Sequence, residues 1–160
     1  MSAALPADYA RLGELTVAAF RALGPLPESY AADLADVAGR AADPGAVVLA
    51  ARLGDRLVGG ATVVLGLESP LAQFLGPGTA GLRMLAVDPA AQGRGVGRAL
   101  VEATLDLCRR RGLTRVALHT TAVMRHAIRI YESLGFERRP DRDLLLPSGL
   151  RLLGYEVMLP

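Results

Sequence analysis

Hydrophobic residues recur three or four positions apart in four segments of the chain, which is the spacing of an amphipathic helix. The predicted helices cover Asp8–Leu23, Ser29 to about Gly39, Gly95–Arg111 and Val123–Leu134. We expect Ser29 to cap the second helix. Gly112 and Gly135 are placed to end the third and the fourth.

Runs rich in Val, Leu and Ala predict strands between these helices. The predicted strands are Ala46–Leu53, Leu57–Leu67, Leu82–Val87, Leu113–Thr120 and Leu150–Leu159. Gly54-Asp55-Arg56 is typical of a hairpin turn between the first two. Ser69–Gly81 holds two Pro and three Gly and is predicted to be a long surface loop, whereas Met1–Ala7 shows no clear strand. The order of elements predicts an α/β (α+β) fold in layers, with residues 1–160 forming one domain.

Composition narrows the class of protein. Of 160 residues, 51% are hydrophobic and 21% are charged, which favours a globular chain with a sizeable core. The 18 basic residues are all Arg, are dispersed and are nearly balanced by 16 acids, so no nucleic-acid partner is expected. With one Cys and two His, neither a disulfide framework nor a metal site is expected.

Two further absences give expectations about location. The longest apolar stretch, Leu57–Leu67, is about half as long as a membrane-spanning helix requires. The N-terminus lacks the basic and apolar regions of a signal peptide. We therefore expect a cytoplasmic protein with no membrane partner. The hydrophobic final strand offers a surface for a homodimer, but no residue specifies one.

The chemistry is concentrated where a predicted strand leads into a glycine-rich segment that opens a helix, Gln92–Arg98. Glycines let the backbone fold so that several N–H groups converge on one anion, and the helix N-terminus adds partial positive charge. Arg94 and Arg98 add charged donors. This arrangement predicts a phosphate or pyrophosphate site.

Two familiar phosphate loops do not fit this segment. A P-loop requires Gly-Lys-Ser/Thr, and the chain contains no Lys. A dinucleotide-binding fingerprint requires Gly-x-Gly-x-x-Gly, and Gly93, Gly95 and Gly97 are spaced differently. The remaining pattern is Gln-x-x-Gly-x-Gly after a strand.

In this pattern the chain resembles the GNAT superfamily of acyl-CoA-dependent N-acyltransferases. Gln92–Gly97 is similar to the family signature Arg/Gln-x-x-Gly-x-Gly/Ala, and Tyr131–Phe136 is similar to its Tyr-Glu-x-Leu-Gly-Phe. The two segments lie on consecutive strand–helix units. The resemblance implies a GNAT fold, in which helices flank a mixed central sheet whose central strands splay apart. It also implies acetyl transfer to a primary amine of a small molecule or peptide.

The resemblance implies specific roles for residues of this chain. Backbone amides from Gly93 to Arg98 would hold the pyrophosphate of acetyl-CoA, the co-substrate, and an amide near Val87 would polarise the thioester carbonyl. Tyr131 would protonate the departing thiolate as general acid, although its helical spacing also fits a core aromatic residue. The implied cofactor-binding residues are Leu85, Ala86, Val87, Gln92, Gly93, Arg94, Gly95, Val96, Gly97 and Arg98.

The chain departs from the family at two positions that bear on catalysis. The family often has a Glu at the start of the central strand and an Asn on the helix that carries the Tyr; here these positions hold Gly81 and Met124. The general base is therefore open. His119 is one candidate, with a structural histidine as the alternative, and Glu68 is a weaker one. These departures also leave open a catalytically idle acyl-CoA-binding module.

The other polar candidates have simpler interpretations. His126 and the acids Asp33 and Asp36 are expected on outer helix faces, and Cys108 is expected to be an apolar filler. Three loops without motifs are expected to set acceptor specificity: Gly24–Tyr30, Ser69–Gly81 and Asp141–Leu150.

Overall fold

The structure is a computed structural model that describes all 160 residues. Its helices are α1 (Tyr9–Arg21), α2 (Glu28–Ala35), α3 (Val37–Ala42), α4 (Val96–Arg110) and α5 (Arg125–Ser133). Its strands are β1 (Ser2–Ala3), β2 (Ala46–Leu53), β3 (Arg56–Val64), β4 (Thr79–Val87), β5 (Arg115–Thr120), β6 (Glu137–Arg138), β7 (Leu144–Leu145) and β8 (Arg151–Met158). None of the helices has the length and hydropathy needed to cross a membrane.

All strands belong to one mixed sheet in the order β1-β2-β3-β4-β5-β8-β6, with β7 paired to β8. Every pair is antiparallel except β4 with β5, which α4 connects. The parallel pairing joins Thr79–Gly81 to Arg115–Ala117 and stops there. Beyond Gly81 the two central strands separate, which confirms the predicted fold class and its splayed centre.

Helices cover both faces of the sheet. Alternate residues of each strand point to opposite sides, so each face has its own set of apolar side chains to bury. On β2, Val48 and Ala50 pack in a cluster with Leu12 and Leu15 of α1. Their neighbours Leu49 and Ala51 pack instead in a larger cluster that contains the buried face of α4. The hydrophobic core is therefore two layers separated by the sheet.

Local hydrogen bonds place several boundaries differently from the sequence predictions. The predicted second helix breaks at Asp36, whose carboxylate accepts the Gly39 N–H at 2.9 Å and caps α3. The prediction that Ser29 caps the second helix is wrong: α2 begins at Glu28, and Ser29 lies within its first turn. β4 begins at Thr79, inside the predicted loop, because pairing with β5 extends it.

A bulge interrupts β4 next to the point where the central strands separate. Gly60 lies opposite Ala86 while Thr62 lies opposite Arg83, so a single residue of β3 faces two residues of β4. Met84, within the bulge, has a φ of +52°. Such an extra residue bends a strand and increases its twist. On the two sides of this bulge, Arg83 lines one cavity of the protein and Leu85 lines another.

Candidate active site

The glycine-rich segment forms the turn between β4 and α4. Gly93 and Gly95 have φ values of +78° and +79°, a left-handed conformation that favours glycine, and Gly95 is the residue before the first turn of α4. No side chain caps this end of α4. The first N–H groups of a helix have no partners within it, so these groups are free to bind an anion.

A buried carboxylate fixes the start of the turn. Asp88 accepts hydrogen bonds from the Ala90 N–H and from the guanidinium groups of Arg11 and Arg56, each at 3.0 Å. The Ala90 N–H contributes most to lowering the pKa of Asp88, and the two arginines add to that effect. The turn is thereby tied to both α1 and β3.

A cavity of about 430 Å³, here called the glycine-loop cavity, lies between this turn, the end of β4 and α5. The cofactor-binding residues predicted from sequence that line it are Leu85, Ala86, Val87, Gln92, Gly93, Gly95, Val96, Gly97 and Arg98. Arg94 is exposed and does not line it. The Arg98 guanidinium also donates to Glu102 at 3.1 Å and to Ser133 at 2.8 Å, which links α4 to α5.

Tyr131 lies on α5 within the larger core cluster and is only 6% exposed. Its ring centroid is 5.5 Å from that of Phe136, and it does not belong to the lining of the glycine-loop cavity. Burial raises the pKa of its phenol well above the usual value, so the group stays protonated near neutral pH. Its hydroxyl makes no hydrogen bond within the protein.

A second cavity, of about 390 Å³, lies on β5 and β8 beside the gap between the central strands. We call it the arginine cavity, after Arg83, Arg115 and Arg142 in its lining. Two of the three segments expected to set specificity contribute to it, through Phe74–Thr79 in part and through Asp141–Leu144. The third, Gly24–Tyr30, contributes no residue to the lining. Burial raises the pKa of Tyr30 at its end, and the charges of Arg40 and Arg83 oppose that rise.

His119 faces the arginine cavity from the end of β5. Its Nε2 lies 2.8 Å from the carbonyl oxygen of Arg142. A carbonyl can only accept, so Nε2 carries the hydrogen, and in the neutral ring Nδ1 carries the lone pair. Phe74 packs edge-on against the imidazole ring, with the two ring centroids 6.3 Å apart. The backbone thus sets the tautomer and leaves one basic nitrogen available.

Met124 and Gly81 stand where the family often has Asn and Glu, and the structure shows what surrounds each of them. Met124 precedes α5, and its sulfur accepts a hydrogen bond from the Thr120 hydroxyl at 3.2 Å. A Cβ on Gly81 would lie 3.1 Å from a methyl group of Leu75 and 3.5 Å from the guanidinium carbon of Arg83. Arg83 therefore covers the position where the family often has an acid.

The remaining candidates fall outside the arginine cavity. Glu68, Asp33 and Asp36 are exposed and line neither cavity. His126 is exposed, as expected for an outer helix face, but it also lines the glycine-loop cavity. Cys108 is fully buried, and desolvation raises the pKa of its thiol to about 11.

Comparison with known proteins identifies a family that the sequence matches. A family model described as "Acetyltransferase (GNAT) family" matches residues 10–136. The mycothiol acetyltransferase of Sanguibacter keddieii is 37% identical over 133 residues, which are 80% of this chain and 41% of that protein. That of Thermomonospora curvata is 38% identical over 122 residues, which are 74% of this chain and 38% of that protein. This chain spans at most about two fifths of the length of these relatives.

Solved structures show the same fold at low sequence identity. An acetyltransferase of the GNAT family from Staphylococcus aureus superposes with a TM-score of 0.75 and 17% identity, covering 99% of this chain and 97% of that one. The ribosomal-protein-S18-alanine N-acetyltransferase from Escherichia coli gives a TM-score of 0.72 and 22% identity, with coverages of 99% and 92%. At these identities the likeness establishes the fold alone.

Proposed function

The chain belongs to the GNAT family of acetyltransferases, and we propose that it transfers the acetyl group of acetyl-CoA to the primary amine of a small molecule or peptide. In this proposal residues 1–160 act as one domain. The glycine-loop cavity binds the CoA moiety, and the arginine cavity receives the amine. The gap between β4 and β5 is where the two substrates meet.

One observation carries the proposal. The backbone of Gly93–Arg98 presents uncapped N–H groups at the start of α4, in a turn that contains two glycines with positive φ. The same turn borders a cavity of about 430 Å³ that continues along Leu85–Val87. This combination suits a ligand with a pyrophosphate at one end and a long, flexible arm at the other.

Acetyl-CoA supplies an activated thioester when it is bound. In the proposed reaction the amine nitrogen forms a bond to the acetyl carbon, and the bond from that carbon to sulfur breaks. An amide N–H of β4 near Val87, beyond the parallel pairing with β5, donates to the thioester oxygen. His119 Nδ1 accepts the proton that the amine loses, and the Tyr131 hydroxyl gives its proton to the sulfur.

Acetyl-CoA-dependent release of free thiol across a panel of amines tests this function. We expect thiol release and the acetylated amine in equal amounts, with none when the amine is omitted. Stabilisation by CoA on thermal unfolding without thiol release from any amine would contradict the proposal. That result would favour the idle acyl-CoA-binding module.

Replacing His119 with Gln tests the base. The amide nitrogen of Gln lies about where Nε2 does and keeps a donor for the Arg142 carbonyl, but it takes up no proton near neutral pH. We expect kcat with an alkylamine to fall roughly 100-fold, the low end of general acid–base effects, because water reaches this half-buried position. The affinity for acetyl-CoA is expected to stay unchanged.

An arylamine that is already neutral at the assay pH provides the control for this variant. Such an amine has no proton to lose before attack, so its turnover should fall much less than that of the alkylamine. An equal loss with both amines would show that His119 supports the structure and does not act as the base.

A further inference from the structure

The carboxylates that line the arginine cavity are all bound by arginine side chains. Arg138 holds Asp143 through two hydrogen bonds of 2.5 and 2.6 Å. Glu156 is bound by Arg139 at 2.8 Å and by Arg115 at 3.2 Å. Hydrogen bonds of this kind favour the ionised carboxylate, and Arg138 lowers the pKa of Asp143 to about 2. Their negative charges are therefore already compensated by arginine, which weakens their attraction for a cationic substrate.

Asp141, the third carboxylate of the lining, has the same kind of partner. Arg139 binds it at 2.9 Å, and Arg142 lies 3.8 Å from it. The lining itself balances Arg83, Arg115 and Arg142 against these three carboxylates. Three further arginines outside the lining, Arg138, Arg139 and Arg151, pair with the same carboxylates, and the charge of Glu137 acts on Arg139. The arginines in and behind the lining therefore outnumber the acids by two, which makes the cavity electropositive.

Arg83 is the lining arginine that has no carboxylate partner. Its guanidinium makes one hydrogen bond, at 3.3 Å, to the Gln73 carbonyl. Its side chain is half-buried and lies over Gly81, beside the gap between the central strands. Burial lowers its pKa from the ordinary value for arginine, but a guanidinium stays charged at neutral pH. A half-buried charge without a counter-ion is unfavourable, and an anionic ligand would relieve that cost.

We propose that the acceptor is a small amine that also carries an anionic group, and that this group pairs with the guanidinium of Arg83. The inference rests on the proposed function and names the substrate class for it. The planar guanidinium suits a carboxylate or a phosphate through paired hydrogen bonds. A cavity of about 390 Å³ fits a small molecule or the end of a peptide.

The same charges act on the amine. Positive groups around an ammonium ion favour its neutral form, and only the neutral amine attacks the thioester. One anionic group compensates for the repulsion between the cavity and the incoming ammonium ion. A polyamine, with several positive charges and no anionic group, would meet that repulsion uncompensated.

Matched pairs of amines test this inference in the thiol-release assay. We expect kcat/KM to be at least about tenfold higher for free amino acids than for their amides, or for phosphoethanolamine than for ethanolamine, a difference of about 1.4 kcal/mol. The two pairs distinguish a carboxylate from a phosphate. Spermidine is expected to be the poorest substrate.

Substitutions at Arg83 link the preference to this side chain. Arg83→Gln should remove most of the preference by raising KM for the anionic amine, and Arg83→Lys should restore part of it. Arg110→Gln, at an exposed arginine at the end of α4, should leave both kinetic constants unchanged. Thermal unfolding of each variant shows whether it is folded.

The possible failures are distinguishable. Equal turnover of anionic and neutral amines, or a preference that survives in Arg83→Gln, would overturn the inference and leave the proposed function standing. An absence of thiol release with every amine would overturn both.

Discussion

Replacing Gly95 with Val is expected to lower the affinity for CoA by at least about 100-fold. Gly95 has a φ of +79° and immediately precedes α4. A β-branched residue rarely adopts this conformation, so the turn must change and its N–H groups no longer converge. Each hydrogen bond to a charged group contributes about 1.5–3 kcal/mol, and losing two of them accounts for the expected change. Isothermal titration with CoA measures it.

Gly112→Val is the matched control for this substitution. Gly112 follows the other end of α4, with a φ of +73°. A Cβ would meet nothing within 4 Å at either glycine, so each variant suffers backbone strain without a steric clash. Both variants should lose similar stability on chemical denaturation, whereas only Gly95→Val should lose CoA affinity. Equal CoA affinity in the two variants would contradict the assignment of the turn.

Replacing Tyr131 with Phe is expected to lower kcat by about 100- to 1,000-fold while the affinity for acetyl-CoA stays nearly constant. The change removes one hydroxyl that has no hydrogen-bond partner in the protein and keeps the ring that packs against Phe136. General-acid assistance typically contributes 10²- to 10⁴-fold to a rate. Because burial keeps this phenol protonated, it can supply a proton throughout the neutral range.

Tyr9→Phe, the same chemical change on α1 at a tyrosine that packs against the smaller core cluster on the other face of the sheet, serves as the control. Both variants should keep the thermal stability of the parent, because neither loses a buried hydrogen bond. A Tyr131→Phe protein that turns over at the normal rate would remove the proposed acid. Tyr131 would then be a core aromatic residue, the alternative interpretation of its spacing.

The parts of the fold predicted from sequence are those that neighbouring residues determine. The strand before Asp88, the glycine-rich turn and α4 follow from local periodicity and turn chemistry, and the structure has them within a few residues of the prediction. The break at Asp36 depends on one side chain that accepts a backbone N–H three residues later. The early start of β4 depends on pairing Thr79 with Arg115, which local sequence does not show.

The two cavities also differ in how much of their lining local sequence predicts. About half of the residues that line the glycine-loop cavity belong to one continuous stretch, Leu85–Arg98, and nine of the ten cofactor-binding residues predicted from sequence are among them. The other half comes from α1, α5 and residues next to them, which the motif does not include. The arginine cavity requires β8 to pair with β5, which sets Glu156 opposite Ala117 and within reach of Arg115. Arg83 carried no motif, and its lack of a carboxylate partner is a property of the folded chain alone.

The most direct measurement is a titration of uniformly ¹⁵N-labelled protein with CoA, followed through the backbone amide resonances. We expect one binding site and the largest shifts at Gly93–Arg98 and at Leu85–Val87, the segments that border the glycine-loop cavity. Binding that leaves these amides unperturbed, or no binding at all, would contradict the central claim that this turn holds the pyrophosphate of acetyl-CoA.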